Sequence, residues 1–345
     1  MDAFDYNLPA DLIAQTPLDK RSASRLMVVD RATGSVRHRM FSELAKYLQP
    51  GDLLVVNDSK VLPARLMGHR TSGGKAEFLL LHPVEDGHWR CLLRPARKLR
   101  VGEQVNVPNH RHPGYRPGVV TVIGQHGDGE ATISLDTTLS SNLIDYGRVP
   151  LPLYIREVLK DDDRYQTVYS EISGSAAAPT AGLHFDTETF ASLEARGIDV
   201  ARVTLHVGLD TFRPVTTEYA DEHVIHQEWC EVPQAAAKQI RDARAEDRRV
   251  VAVGTTSART LETLGTRGDP DAGDGFQGAT GIYITPGYRW TVVDAMVTNF
   301  HLPRSSLLLM MSSFAGKDLL FSAYQEAIDQ RYRFFSFGDA MLVLG

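Results

Sequence analysis

Hydrophobic and polar positions fall into two textures along the chain. From Ala64 to Leu135, short runs such as EFLLLH, HWRCLLR, GVVTVIG and ATISLD are broken at short intervals by Gly, Pro, Asn and Asp. Their near period-two alternation between turn residues predicts a small antiparallel barrel or sandwich. After Pro150 the runs lengthen and become β-branched: DVARVTLHVG, RRVVAVGTTS and TVVDAMVTNFHLP read as strands buried on both faces, as does GDLLVVND near the N-terminus. Helical spacing marks Asp186–Arg196, Gln234–Glu246, Ser257–Leu264 and Asp318–Arg331. The pattern predicts an α/β domain interrupted by an all-β insertion. Gly265–Gly281, with six glycines, three aspartates and no hydrophobic period, reads as a mobile loop, either a lid or a tolerated surface insertion.

Composition narrows the class. The 345 residues suffice for a large core without staples, and Cys91 and Cys230 form no C-x-x-C pair. That usage fits a reducing, cytoplasmic setting and excludes a zinc ribbon or disulfide scaffold. The longest apolar stretch, Leu307–Met311, is far too short to span a membrane, and the acidic N-terminus is no signal peptide. Net charge is -6, yet Lys60–Arg116 holds eleven basic against four acidic residues. Such a basic segment is either a polyanion contact on one lobe or a solvated face.

Candidate chemistry gathers where the long runs end. His206 follows VARVTL, Thr255, Thr256 and Ser257 follow VVAVG, and Asn299 and His301 follow VVDAMVT. Ligands of parallel α/β sheets bind beyond the carboxyl ends of the strands, so three similarly decorated exits predict one site. AVGTTSART places hydroxyls at a helix start that could seat a carboxylate, phosphate or ribose, with Arg259 to reinforce an anion, or that simply cap the helix. It is neither a P-loop nor a dinucleotide fingerprint. In AAAPTAGLHFD, Pro179, Thr180 and Gly182 form a small-residue turn open to ligand approach, and His184 follows as an acid, a base or a structural ring. DEHVIHQE supplies His223, His226 and Glu228 without the H-E-x-x-H order, which favours an orienting hydrogen-bond role over a metal. No G-x-S-x-G elbow is present. These residues alone leave open a barrel enzyme acting on a phosphorylated metabolite, or a non-catalytic RNA-binding module.

The runs NDSKVLPARL, PLPLYI, YQTVYSE, AAPTAGLHF, VTLHVGLDTF, HVIHQEWCEVP, AVGTTSARTLE, VVDAMVTNFHLPRSSLLLMMSSFAG and RYRFFSFGDAML, in this order from near residue 4 to 344, resemble the S-adenosylmethionine:tRNA ribosyltransferase-isomerase family of queuosine biosynthesis. The resemblance implies a large α/β domain with a mostly parallel, barrel-like sheet over 1–57 and 149–345, and an inserted antiparallel β-barrel over 58–148. It implies a monomeric enzyme, without metal, that moves and isomerises the ribosyl part of S-adenosylmethionine onto 7-aminomethyl-7-deazaguanine at a tRNA wobble position. The products would be epoxyqueuosine, adenine and methionine. A base would remove an acidified 5′-hydrogen of the sulfonium, adenine would leave with ring opening, the aminomethyl nitrogen would add, and methionine would depart as the epoxide closes.

On this resemblance His184, His206 and His301 are proton-transfer candidates. Pro179, Thr180, Gly182, Gly208, Thr255, Thr256, Ser257 and Asn299 are donor contacts, Arg259 suits the methionine carboxylate, and Asp339 suits the base or amine. Lys60, Arg65, Arg94, Arg97, Lys98 and Arg100 are phosphate contacts for tRNA. Departures from the family pattern are Lys60 for arginine, Leu209 and Asp210 for Ala-Gly, Ser175 for valine and Ile225 for methionine. Asp210 matters most, since it sets a carboxylate beside the expected donor loop.

Overall fold

The run Leu53–Asn57 shows how continuous apolar sequence is used. Leu53 and Val55 face one core and Leu54 and Val56 face another, so a strand between two layers has no polar alternation to show. The structure, a computed structural model, describes all residues except 153, 158, 209, 210 and 212–214, and the side chain of residue 86. The chain divides into two compact units, Met1–Lys60 with Pro152–Gly345, and Val61–Leu151.

The first unit opens with β1 (Arg25–Asp30), β2 (Val36–Met40), β3 (Leu53–Asn57) and β4 (Ser59–Val61). The second unit contains β5 (Arg65–Arg70), β6 (Lys75–Pro83), β7 (Trp89–Arg94), β8 (Gln104–Val107), β9 (Gly118–Gly127) and β10 (Glu130–Leu135). Short helices α1 (Thr137–Ser141) and α2 (Leu143–Tyr146) precede β11 (Gly147–Arg148). Because β5 pairs with both β6 and β8, the order β5-β6-β7-β10-β9-β8 closes into a six-stranded antiparallel barrel. Alternate side chains, among them Phe78, Leu80, Leu93, Val120, Val122 and Ile133, fill its interior. The four alternating runs of the sequence are its β6, β7, β9 and β10.

The first unit resumes with β12 (Ile172–Ser175), paired to β4, then α3 (Thr187–Glu194), β13 (Asp199–Leu205), β14 (Glu228–Val232), α4 (Gln234–Ala245) and β15 (Val250–Val253). It ends with α5 (Gly254–Arg267), β16 (Phe276–Thr280), β17 (Ala295–Asn299), α6 (Ser306–Ala315), α7 (Lys317–Asp329) and β18 (Ala340–Leu344). A nine-stranded sheet runs β16-β14-β13-β3-β15-β17-β18-β1-β2. Residues of α4, α5, α6 and α7 share one core with it, and the 3-10 segment Phe41–Tyr47 and α3 share the other. The α/β class with an inserted barrel therefore holds. The large sheet itself is mixed: β13, β3, β15 and β17 are mutually parallel, as are β18 and β1, while four ladders are antiparallel. Parallel pairing needs crossovers; the strands reversed against the β13-β3-β15-β17 group are β14 at one side and β18 with β1 at the other, and the edge strands β16 and β2 turn back again. Among the described residues no pairing closes this sheet into a barrel.

Two local expectations change, and the longest apolar run finds its element. Helix α5 begins at Gly254, not Ser257, so Thr255 and Thr256 occupy its first turn and Ser257 Oγ is tied back to the Val253 carbonyl at 2.8 Å. Gly254 takes φ +86, and a Cβ there would sit 3.4 Å from both Ala181 Cβ and Thr256 Oγ1. The Leu307–Met311 stretch belongs to α6, capped by Ser305 Oγ accepting the Leu308 N–H at 3.1 Å. Gly265–Gly281 is no free loop: α5 runs on to Arg267 and β16 pairs with β14.

Helix α5 is fixed to the segment entering β17 by buried Glu262. Its Oε1 accepts the Val292 and Val293 N–H groups, and its Oε2 accepts Thr291 N–H and Oγ1–H and the Tyr288 hydroxyl, all at 2.8–3.0 Å. Losing the carboxylate strands several buried donors at about 1–3 kcal/mol each. Glu262→Ala is therefore expected to lower unfolding free energy by roughly 3–5 kcal/mol in urea denaturation; a loss under about 1 kcal/mol would refute this anchoring.

Candidate active site

The carboxyl ends of β13, β15 and β17 meet the turn before α3 around one cavity. Asn57, the last residue of β3, ties that strand to the exit of β13: its Oδ1 accepts the Leu205 N–H and its Nδ2 donates to the Leu205 carbonyl, each at 3.0 Å. Pro179, Thr180, Thr255, Thr256, Asn299 and His301 line the cavity as expected, joined by Thr211, Thr298, Tyr154 and Ser336. No Asp, Glu, Lys or Arg lines it among the described residues. Its walls are hydroxyls, one amide, one imidazole and apolar side chains.

A buried chain of hydrogen bonds orients the amide. Thr180 Oγ1 donates to Asn299 Oδ1 at 3.0 Å, and Asn299 Nδ2 donates to His184 Nε2 at 3.0 Å. His184 Nδ1–H is then left to donate to Ser24 Oγ at 2.8 Å, which assigns the tautomer from the network. His184 is thus behind the cavity wall. Burial, reinforced by the Arg333 and Arg21 charges, pushes it down to about 3. His301 lines the cavity, its Nε2 2.8 Å from Thr298 Oγ1, and burial pushes it to about 3 also. Both rings are neutral at pH 7.

Several expected residues lie elsewhere. His206 is not on the cavity wall: it stacks on Trp229, centroids 5.1 Å apart, and presses on Gly174, where a Cβ would sit 2.6 Å from the ring. Gly182 makes room for protein, not ligand, since a Cβ there would lie 2.1 Å from the Tyr169 hydroxyl. Ser257 spends its hydroxyl inside α5. The Gly208 N–H donates to Glu228 Oε1 at 2.7 Å. Asp339 is buried outside the cavity, where its oxygens accept the Arg25 N–H and guanidinium and the Arg333 N–H. Those bonds fasten the Arg333–Asp339 loop to β1. Asp210 lies outside the described residues.

Among the described residues no group of three His, Cys, Asp or Glu could hold a metal. His226 instead approaches Glu228 Oε1 at 3.1 Å, consistent with an orienting role. Burial pushes the Cys91 thiol up to about 12 and the Cys230 thiol up to about 11, which disfavours thiolate chemistry. Sequence reasoning missed Tyr154 and Ser336, whose hydroxyls lie 2.5 Å apart. It also missed Phe335, held on the cavity wall at φ +70. A lone Tyr in PLPLYI and a lone Ser in FFSFGD, set among apolar residues outside regular elements, were the available signals. In the second unit Arg94, at the end of β7, and Arg97, Lys98 and Arg100, on the β7–β8 connection, are exposed and form no ion pair among the described residues. Arg65 is committed to Glu77 at 3.6 Å and to the Leu151 carbonyl at 3.4 Å, and Lys60 is half-buried.

An α/β unit with a cavity at its strand exits lined, among the described residues, by hydroxyls, an amide and an imidazole, interrupted by a basic-looped barrel, defines an enzyme class built for a polar small molecule. The family described as Queuosine biosynthesis protein matches residues 1–343, and the chain belongs to it. A relative from Symbiobacterium thermophilum, an S-adenosylmethionine:tRNA ribosyltransferase-isomerase, is 49% identical over 343 residues, covering 99% of this chain and 98% of that one. The crystal structure of an S-adenosylmethionine tRNA ribosyltransferase from Thermotoga maritima matches with TM-score 0.57 and 38% identity, over 99% of this chain and 100% of that one.

The neutral histidines carry a pH signature. In the unfolded chain they bind protons near 6.5, whereas in the native state they do so only near 3. Protons therefore favour unfolding: the contribution is complete above pH 6.5 and is lost as pH falls toward 3, at up to about 1.4 kcal/mol per pH unit per ring. His184→Gln and His301→Gln should each show a shallower loss of stability between pH 6 and 4 than the parent chain; parallel slopes would contradict the assignment.

Proposed function

We propose that the cavity binds S-adenosylmethionine as ribosyl donor and that the chain transfers and isomerises this ribosyl group onto 7-aminomethyl-7-deazaguanine at the wobble position of tRNA, yielding epoxyqueuosine, adenine and methionine. The observation that carries the reading is the 49% identity to a ribosyltransferase-isomerase over 99% of the chain. The hydroxyl-rich cavity at the three strand exits, with no charged side chain on its wall among the described residues, supports it.

Asn299, fixed at both ends of its amide, keeps one N–H and one lone pair for a ribose or adenine edge, beside the hydroxyls of Thr255 and Thr256. The Thr256 hydroxyl is buried without a partner among the described residues, a vacancy that a ligand oxygen or ring nitrogen would fill. His301 serves as proton acceptor at the ribose 5′-carbon. Its depressed basicity leaves the lone pair free at pH 7 and requires the sulfonium itself to supply the acidity. His184 acts through Asn299 as a positioning residue. Apolar Ala178, Val207, Phe300 and Phe335 exclude water from the ring-opened intermediate. The exposed Arg94, Arg97, Lys98 and Arg100 supply phosphate contacts, and the protein works as a cytoplasmic monomer.

Incubation with S-adenosylmethionine and tRNA carrying the aminomethyl base should release adenine and raise the nucleoside mass to that of epoxyqueuosine; no mass change would remove the reading. His301→Gln is expected to lower kcat by roughly 10²–10⁴ with donor KM nearly unchanged, and His184→Gln to act mainly through donor KM. His206→Gln should remain near the parent rate. Full kcat in His301→Gln would eliminate the ring as the acceptor. Arg94→Glu with Lys98→Glu should weaken tRNA binding and flatten its salt dependence by about 0.7–0.9 per lost phosphate contact, leaving donor affinity intact; an unchanged slope would take the loop out of the interface.

A further inference from the structure

Between Glu103 and Asp128 the chain carries no acidic residue, and the connection from β8 to β9, PNHRHPGYRP, lies inside that span. All of Arg111–Pro117 is exposed. Tyr115 stands 69% exposed, more than any other Phe, Tyr or Trp among the described residues. Arg111 and Arg116 flank it, and neither forms an ion pair among the described residues. The loop beneath these side chains is nevertheless well tied. Asn109 is buried and its Oδ1 accepts the His112 N–H at 2.7 Å, while the Tyr115 N–H donates to the His112 carbonyl at 3.1 Å across a turn in which Gly114 takes φ +98. Both ends are fastened to α2: the His110 N–H donates to the Asp145 carbonyl at 3.0 Å, and the buried Tyr146 donates its hydroxyl to the Arg116 carbonyl at 2.7 Å. A Cβ at Gly118 would lie 2.3 Å from Leu139 Cγ, so the exit of the loop is pressed against α1. The His112 ring lies 5.3 Å from that of Tyr115, tilted by 41°, and braces one side of it.

A ring this open adds little burial to the fold, so its apolar face is still to be covered. Charge decides by what. An interface with another protein wants an apolar surround at its centre, whereas the neighbours here are two arginines, a histidine and the turn residues Pro113, Gly114 and Pro117. Cations on either side of an exposed aromatic match a chain that carries a flat base between successive anions, which is single-stranded nucleic acid. The excess of eleven basic over four acidic residues in Lys60–Arg116 favours the same polyanion.

We propose that the β8–β9 loop is a stacking platform for one unpaired base of the substrate RNA, which lies on the Tyr115 ring while its flanking phosphates take Arg111 and Arg116. His112 is a positioning residue that limits the swing of the tyrosine. The proposal rests on the reading of tRNA as substrate and adds a second kind of contact to the phosphate contacts of the β7–β8 connection. Because every base has a π-face, the platform distinguishes single strand from duplex and not one base from another.

The test is fluorescence anisotropy of the full chain with two labelled RNAs, the tRNA bearing the aminomethyl base and a blunt-ended RNA duplex, over a range of salt. Y115A should bind the tRNA about 5–100-fold more weakly than the parent, the range that loss of one base–aromatic stack produces. Y115F keeps the ring without its hydroxyl and should stay within about 2-fold of the parent, and on the duplex the three chains should be alike. R111Q/R116Q should flatten the dependence of log affinity on log salt by about 1.4, two single-strand phosphates at about 0.7 each, whereas Y115A should leave that slope unchanged. Y115W supplies a second readout: its indole fluorescence should be quenched by the tRNA and not by the duplex. Unchanged tRNA affinity in Y115A overturns the platform and leaves the loop to a protein partner. Equal losses on tRNA and duplex overturn it as well, since they mark a general defect of the barrel. A parent chain that binds no tRNA removes the reading of the substrate and the platform with it, a result distinguishable from a parent that binds and a Y115A that binds equally well.

Discussion

Everything at the strand exits depends on the amide of Asn299 being held in one orientation inside a dry wall. An amide has two ends of opposite polarity, and in a cavity whose described residues include no ionised side chain its direction sets which ligand atoms are accepted. Thr180 from the turn before α3 and His184 behind the wall fix the two ends. Because His184 is itself bonded to Ser24, just before β1, three distant chain segments are committed to one arrangement. A protonated His184 could not accept from Asn299, so the burial that keeps this ring neutral is part of the same device.

A second polar network runs parallel to the first and shares no residue with it. Glu228 gathers Arg259, Gly208, Thr211 and His226 at the end of the sheet where β14 lies beside β13. Helix α5 contributes to both, since its first turn faces the main cavity through Thr255 and Thr256 while its second turn carries Arg259. The Glu262 anchor further along the helix fixes its rotation. One helix thus carries both part of the cavity wall and the buried Arg259–Glu228 pair.

Much of this was legible in the sequence because burial leaves a pattern. Period two in EFLLLH and GVVTVIG reported a barrel with one face inward, and the unbroken VVAV and AMVT runs reported strands covered on both faces. The clustering of polar residues directly after those runs located Thr255, Thr256, Asn299 and His301. What stayed hidden was side-chain direction. His206 occupies the same kind of exit as His301 yet stacks on Trp229, and Ser257 differs from Thr256 only by one helical position that turns its hydroxyl to Val253. Asp339 looked like a contact for the base or amine because nothing local shows that Arg25, more than three hundred residues away, would claim it. The glycine-rich Gly265–Gly281 stretch hid an edge strand, since pairing with β14 is supplied by the tertiary fold and not by its own composition.

The most direct test of the amide's role is a double-mutant cycle on donor affinity with Thr180→Val and His184→Gln. The two side chains do not bond each other but share the 3-10 segment Thr180–His184, so the cycle is repeated on Asn299→Ala, where coupling carried by the amide vanishes. The account predicts non-additive losses, with a coupling of about 1 kcal/mol or roughly fivefold in Kd. Losses that simply add would show that the amide is not held by both partners, and would contradict the claim on which the rest stands.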